Sequence, residues 1–128
     1  MNETVHLYFT GQTRPGGHRW RYVVRIGDAW IEMRETPHRD LLVLALRRVA
    51  EKDRADGGWM PLPDLVGRLD ESRIRRMRED LRPVGLDLAI ESNFQKAYRL
   101  ALAPDRIGFD TQTLATVADL EPLVKATT

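Results

Sequence analysis

The sequence predicts an α+β domain in which short strands come first, helices follow, and a β-hairpin closes the order. Three observations predict it. β-Branched and aromatic runs occupy 4–9, 20–26 and 29–34. An apolar stripe at three- and four-residue spacing then runs through 36–52. Finally, LDLAIE at 86–91 and AYRLAL at 97–102 alternate with period two on either side of SNFQK.

In order, TVHLYF at 4–9 reads as a short strand, and GQTRPGGHR at 11–19 as turn chemistry, with three glycines and one proline. WRYVVRI at 20–26 and AWIEMR at 29–34 read as strands joined by Gly27-Asp28. That pair is a two-residue hairpin signal, because glycine supplies the positive φ that the turn needs. In TPHRDLLVLALRRVAEK, 36–52, Thr36 is the expected N-cap, Pro37 the first helical residue and Asp40 a first-turn acid favoured by the helix dipole. Leu42, Ala45, Leu46 and Val49 form the apolar stripe, widened by Leu41 and Leu44, so this face must be deeply covered. DRADGG at 53–58 breaks the helix. LPDLVGRL restarts one near Pro63 with Leu65, Val66 and Leu69 inward, and Asp70 offers a cap to a third helix that must end near Pro83-Val84-Gly85. DTQTLATVADLEPLVK carries a further short helix with Leu114, Val117, Ala118 and Leu120 on one side, limited by Pro122.

The expected organisation is one domain over 1–128: N-terminal antiparallel strands in 1–35, a three-helix core in 36–85, a hairpin in 86–102 and a tail in 103–128. The chain is long enough for one domain with a core and too short for two ordinary ones. Hydrophobic content of 42% and charged content of 30% read as a soluble globular protein. The formal net charge is only +1, so any case for nucleic acid rests on where the charge sits.

The charge gathers in ESRIRRMREDLR, 71–82, where five arginines stand beside three acids. At about 100° per residue, Ile74, Met77 and Leu81 share one face. Opposite lie Ser72, Arg75, Arg76 and Glu79, with Arg78 and Arg82 on one flank and Arg73 and Asp80 on the other. A short helix, a tight turn and a second helix with outward arginines is the layout of a helix-turn-helix, whose second helix fits a major groove. The planar guanidinium can engage guanine or phosphate with two bonds. The same stretch also suits a solvated helix paired with itself, since Glu71–Arg75, Arg75–Glu79 and Arg76–Asp80 are spaced i,i+4.

Several strings resemble the winged-helix DNA-binding domain of OmpR/PhoB-type response regulators. GDAWIEMRETPHRDLLVLAL at 27–46 is similar to that family's entry into helix one, SRIRRMREDL at 72–81 to its recognition helix, and AYRL at 97–100 to the end of its wing. The likeness covers roughly 20–102. It implies a winged helix-turn-helix: an N-terminal antiparallel sheet, three helices and a C-terminal β-hairpin wing. It implies that Arg75, Arg76 and Arg78 face groove and phosphate, that Arg73 contacts the DNA backbone, and that the wing lies near Asn93 to Lys96. Two departures stand out. The connection between helices two and three shrinks to about Asp70-Glu71, and no receiver domain is present.

Other chemistries find little support. There are no cysteines, which fits a reducing cytoplasm and removes disulfides and thiolate metal sites. His6, His18 and His38 have no metal-ligand spacing, and His38 reads as a surface or capping residue. PGGH and DGGW lack the ending of a phosphate-binding loop, and neither Ser72 nor Ser92 sits in a nucleophile elbow. No catalytic residue, metal, cofactor or small-molecule substrate is therefore expected. No apolar run approaches the ~20 residues that span a bilayer, and the N-terminus lacks a basic leader, so neither membrane nor signal peptide is expected. Trp20, Trp30 and Trp59 read as packing residues, and Phe94 stands at the hairpin tip. The expected partner is double-stranded DNA, bound by a small transcriptional regulator or accessory factor, with a homodimer or protein partner adding affinity. The alternative is a winged-helix module in which the same arginines meet an acidic protein surface.

Overall fold

The computed structural model describes residues 6–16, 19–54, 57–61, 71–93 and 97–115. The expected α+β class is present, built on two sheets and a central helix. β1 (Leu7–Gly16), β2 (Arg19–Ile26) and β3 (Ala29–Met33) form an antiparallel meander. Gly27, at φ 59°, makes the expected turn between β2 and β3. The segment 11–19, expected as a turn, is instead mostly ladder. Thr13 to Gly16 pair with Tyr22 to Arg19, after a register shift between Phe9 and Thr13. Glycine and proline are tolerable there because that end of the ladder has no third strand beside it.

The sheet is mixed, a correction to the antiparallel expectation. β7 (Ile107–Phe109) runs parallel to β1 and completes the order β3-β2-β1-β7. The region read as a tail therefore contributes to the core, where Phe109 stacks on Phe9 with ring centroids 5.6 Å apart. α3 (Thr111–Ala115) follows, capped by the Asp110 carboxylate, which accepts from Thr113 N at 3.3 Å. The Thr113 hydroxyl is 3.0 Å from that of Thr10, and it accepts from Gly11 N at 3.0 Å, fastening α3 to the irregular part of β1. The remainder of the expected tail helix, from Thr116 onward, lies outside the described residues.

α1 (Glu35–Ala50) is the central helix. Leu41, Leu42, Leu44 and Ala45 are wholly buried, as the stripe requires, and each fully buried leucine contributes about 1.5–3 kcal/mol. Its start differs from expectation. Arg34, not Thr36, is the N-cap residue and provides no side-chain cap; its carbonyl accepts the first helical bond from His38 N at 3.0 Å. Pro37 thus sits at the third helical position, where no intrahelical N–H is lost. His38 is also not at the surface. It is 1% exposed, stacked on Tyr22 at 4.6 Å and edge-on to Phe9 at 6.0 Å. Asp40, expected as a first-turn acid, lies in the second turn and is wholly buried; the first-turn acid is Glu35.

A second sheet also packs against α1, through β6. β4 (Met60–Pro61) pairs with β6 (Ala97–Leu100), which pairs in turn with β5 (Ile90–Ser92), all antiparallel. The expected hairpin strands are shortened because Asp87–Ala89 forms a 3-10 turn. Between β4 and β5 runs α2 (Ser72–Leu81), the third helix of the sequence expectation. It ends in a 3-10 turn over Arg82–Val84 and Gly85 at φ 78°, as Pro83-Val84-Gly85 implied. The helix expected over 62–69 and its Asp70 cap lie outside the described residues. Among the described residues, no helix is long and apolar enough to cross a membrane.

Candidate nucleic-acid interface

The orientation of α2 follows from its apolar stripe. Ile74 is 2% exposed and Met77 and Leu81 are wholly buried, packed in the same core as α1. Burying three such side chains contributes several kcal/mol, whereas an exposed i,i+4 ion pair contributes about 0.3–0.5 kcal/mol. The stripe therefore dictates which face turns outward, and Arg75, Arg76 and Glu79 are exposed as the helical angle requires.

Two polar anchors fix that rotation. Near the start of the helix, Arg73 donates through Nε and Nη2 to Asp40 at 2.9 and 2.6 Å. Two turns on, along the same flank, the Asp80 carboxylate accepts from the backbone N and the Nε of Arg34, each at 3.0 Å, and lies 2.8 Å from its Nη2. The same Nη2 reaches the carbonyl of Arg76 at 3.1 Å, and Glu79 lies 3.7 Å from it. The hydrogen bond to Asp80 raises the Arg34 pKa above its ordinary value, against a smaller desolvation effect. Arg34 also explains the missing cap of α1: the chain leaving β3 is held by a carboxylate from α2 rather than by a local side chain.

The expected site residues separate into three groups. Arg75 and Arg76 stand on the exposed face, and among the described residues neither side chain makes an ion pair or hydrogen bond. The expected Arg76–Asp80 pair does not form, because Arg34 occupies that acid. Arg73, expected as a backbone contact, is directed inward, with its side chain only 17% exposed and committed to Asp40. Arg78 is half-buried and donates to the Ile90 carbonyl at 2.7 Å, tying α2 to β5. Asn93 is exposed, but its side-chain oxygen accepts from Ala97 N at 3.0 Å and closes the hairpin mouth. Lys96, with Phe94 and Gln95, lies outside the described residues.

Charge elsewhere near the hairpin is largely paired. Arg99 donates to Glu91, its cross-strand partner, at 2.7 Å and lies 4.7 Å from the Trp59 ring centre. Trp30, expected to pack on the sheet, is 49% exposed, with the Arg25 guanidinium 5.9 Å from its ring. Sequence reasoning missed Arg34, whose partner Asp80 is 46 positions away and leaves no local spacing signal. Comparison with protein-family models, with curated proteins and with solved structures found no match to this chain.

Proposed function

We infer that the chain is a small winged-helix protein that binds double-stranded DNA, with α2 in the major groove and the β5–β6 hairpin beside the backbone. The observation that carries this reading is the release of Arg75 and Arg76: the acids of their own helix turn to Arg34, leaving two adjacent guanidinium groups exposed and unpaired among the described residues. An α-helix with its side chains is about 10–12 Å across, which suits a groove about 12 Å wide. The order α1, β4, α2, β5, β6, with β4 laid on the hairpin, fits the winged-helix reading, and the resemblance in 72–81 and 97–100 points the same way. Arg73 and Arg78 hold the helix in this reading, and Arg75 and Arg76 meet the duplex. One short helix buries little surface, so tight binding calls for a dimer or a partner.

The test is fluorescence anisotropy with duplex DNA across a salt series. Arg76→Ala is expected to weaken binding at least tenfold and to leave the circular dichroism spectrum and melting temperature unchanged. Equal affinity of variant and wild type overturns the assignment. The near-neutral net charge favours, as a second reading, an acidic protein surface as the partner of the same arginines. Heparin or nonspecific-DNA chromatography separates the two. DNA binding gives retention that falls steeply with salt, and a protein-binding module gives weak retention throughout.

A further inference from the structure

The outward surface of α2 is not cationic by itself. Two of its four arginines are committed inward, Arg73 to Asp40 and Arg78 to the Ile90 carbonyl. What remains is Arg75 and Arg76 against Glu79 and Asp80, two charges of each sign on one short helix. Each acid stands four residues from one of these arginines, the spacing at which helix neighbours meet, with about 5–6 Å between Cβ atoms. That is well inside the ~10 Å over which 0.1 M salt screens charge. A phosphate approaching the helix alone therefore meets a surface with no net attraction.

The excess cation comes from another element. Arg34 stands at the junction of β3 and α1. Its Nη2 lies 2.8 Å from Asp80, 3.7 Å from Glu79 and 3.1 Å from the Arg76 carbonyl oxygen. The guanidinium thus sits against the α2 backbone, between both acids and beside the arginine that Asp80 is spaced to reach. Among the described residues neither acid side chain has another partner. Anchoring the helix does not require this arrangement. The Arg34 backbone N–H alone already fastens Asp80 at 3.0 Å, and Glu79 is 48% exposed and too distant at 3.7 Å to hold a helix in place. What the guanidinium adds is a third positive charge set among two negative ones. Arginine suits this place because one planar fork with five donors serves both acids and the carbonyl together.

We propose that Arg34 is the positioning residue of the DNA-facing surface. It acts through Glu79 and Asp80 rather than by contacting the duplex, and by holding both acids it keeps Arg75 and Arg76 available to phosphate and base. The inference rests on the reading of α2 as the DNA-binding helix. Without the Arg34 charge, Asp80 turns to Arg76 and Glu79 to Arg75, and the helix pairs with itself.

The test measures affinity for a duplex of random sequence at 100 mM salt beside the urea midpoint of each variant. Arg34→Gln, which keeps a donor and loses the charge, is expected to bind about fivefold more weakly. Arg34→Lys, which keeps the charge and loses the fork, is expected to be less stable yet to bind within about twofold of wild type. Affinity that follows stability through both variants overturns the proposal, because a merely structural anchor behaves that way. In a Glu79→Gln/Asp80→Asn background, Arg34→Gln is expected to change affinity by less than about twofold. An undiminished loss there means that Arg34 meets the duplex itself and overturns action through the acids. Arg75→Ala/Arg76→Ala serves as the reference. Weakening by that variant with none by Arg34→Gln removes the role of Arg34 and leaves the helix reading standing. Wild-type affinity in Arg75→Ala/Arg76→Ala, or no binding by wild type, removes both. Should Arg34→Gln lose its fold, Arg34→Gln/Asp80→Asn replaces it. Glu79→Gln is then expected to raise affinity more in that background than in wild type, and an equal gain in the two counts against the proposal.

Discussion

The wholly buried carboxylate of Asp40 on α1 accepts two hydrogen bonds from the guanidinium of Arg73 on α2, from Nε at 2.9 Å and from Nη2 at 2.6 Å. This is the polar contact between the two helices that the candidate interface depends on. Removing Arg73 takes both short hydrogen bonds from a wholly buried carboxylate and leaves it the longer contact to Arg39 Nη1 at 3.6 Å; breaking a buried pair in this way costs about 3–5 kcal/mol. Arg73→Ala is therefore expected to lower the urea midpoint severely. Asp40→Leu/Arg73→Met, which removes both charges and keeps volume, is expected to recover most of that loss. A double variant no more stable than the single one would mean that the pair acts through something other than charge compensation.

The second anchor is asymmetric. Asp80 is 12% exposed and binds both backbone and side chain of Arg34, while Glu79 is 48% exposed and merely near it at 3.7 Å. Hydrogen bonds to charged groups contribute about 1.5–3 kcal/mol when half-buried, and exposed pairs contribute below about 1 kcal/mol. Asp80→Ala is expected to cost about 2–3 kcal/mol in urea denaturation, and Glu79→Ala less than about 0.5 kcal/mol. Equal losses would show that Arg34 does not distinguish the two acids.

These anchors also mark where sequence reading stops. The stripes of α1 and α2, the Gly27 turn and the end of α2 at Gly85 rest on periodicity and local backbone chemistry, and each is legible in a few consecutive residues. Partners 33 and 46 positions apart leave no such trace, so Arg73 reads as an outward cation and Arg34 as nothing in particular. β7 has three residues, too few to show a period, and its partner β1 lies 100 positions earlier at Leu7↔Ile107. The glycines and proline of 11–19 suit a turn equally well as a ribbon at the end of a sheet, and only the ladder distinguishes the two. The outward placement of Arg75 and Arg76 was legible because three buried residues on the opposite face determine it.

Gly11 is required by proximity rather than by φ. A Cβ built there would stand 2.1 Å from the carbonyl oxygen of Thr113 and 2.5 Å from its carbon, both backbone atoms that cannot swing aside. Gly11→Ala must push α3 off β1 and break the bond from Gly11 N to the Thr113 hydroxyl. Overpacking of this kind costs about 1–3 kcal/mol, and the broken hydrogen bond adds about 1 kcal/mol. Thr113→Ala, which keeps the space and loses the bonds, is expected to cost less. Calorimetry that ranks Thr113→Ala as the worse variant would remove close approach as the reason for the glycine.

His38 makes stability depend on pH with a predictable sign. Burial penalises the charged imidazole and lowers its pKa from 6.5 to about 4. Neither ring nitrogen has a hydrogen-bond partner in the described structure. Above pH 6.5 the histidine is neutral in both folded and unfolded chains and contributes no slope. As pH falls from 6.5 towards 4, the unfolded chain takes up the proton first, so stability declines by about 1.4 kcal/mol per unit, on the order of 3 kcal/mol in all. Below pH 4 the folded form protonates as well and this contribution ends. His38→Leu forfeits no hydrogen bond, so it is expected to match or exceed wild-type stability at pH 7.5 and to lose much less between pH 6.5 and 4.5. Urea midpoints for both proteins at pH 7.5, 6.0, 5.0 and 4.5 check this, and parallel curves would place the acid sensitivity on other groups.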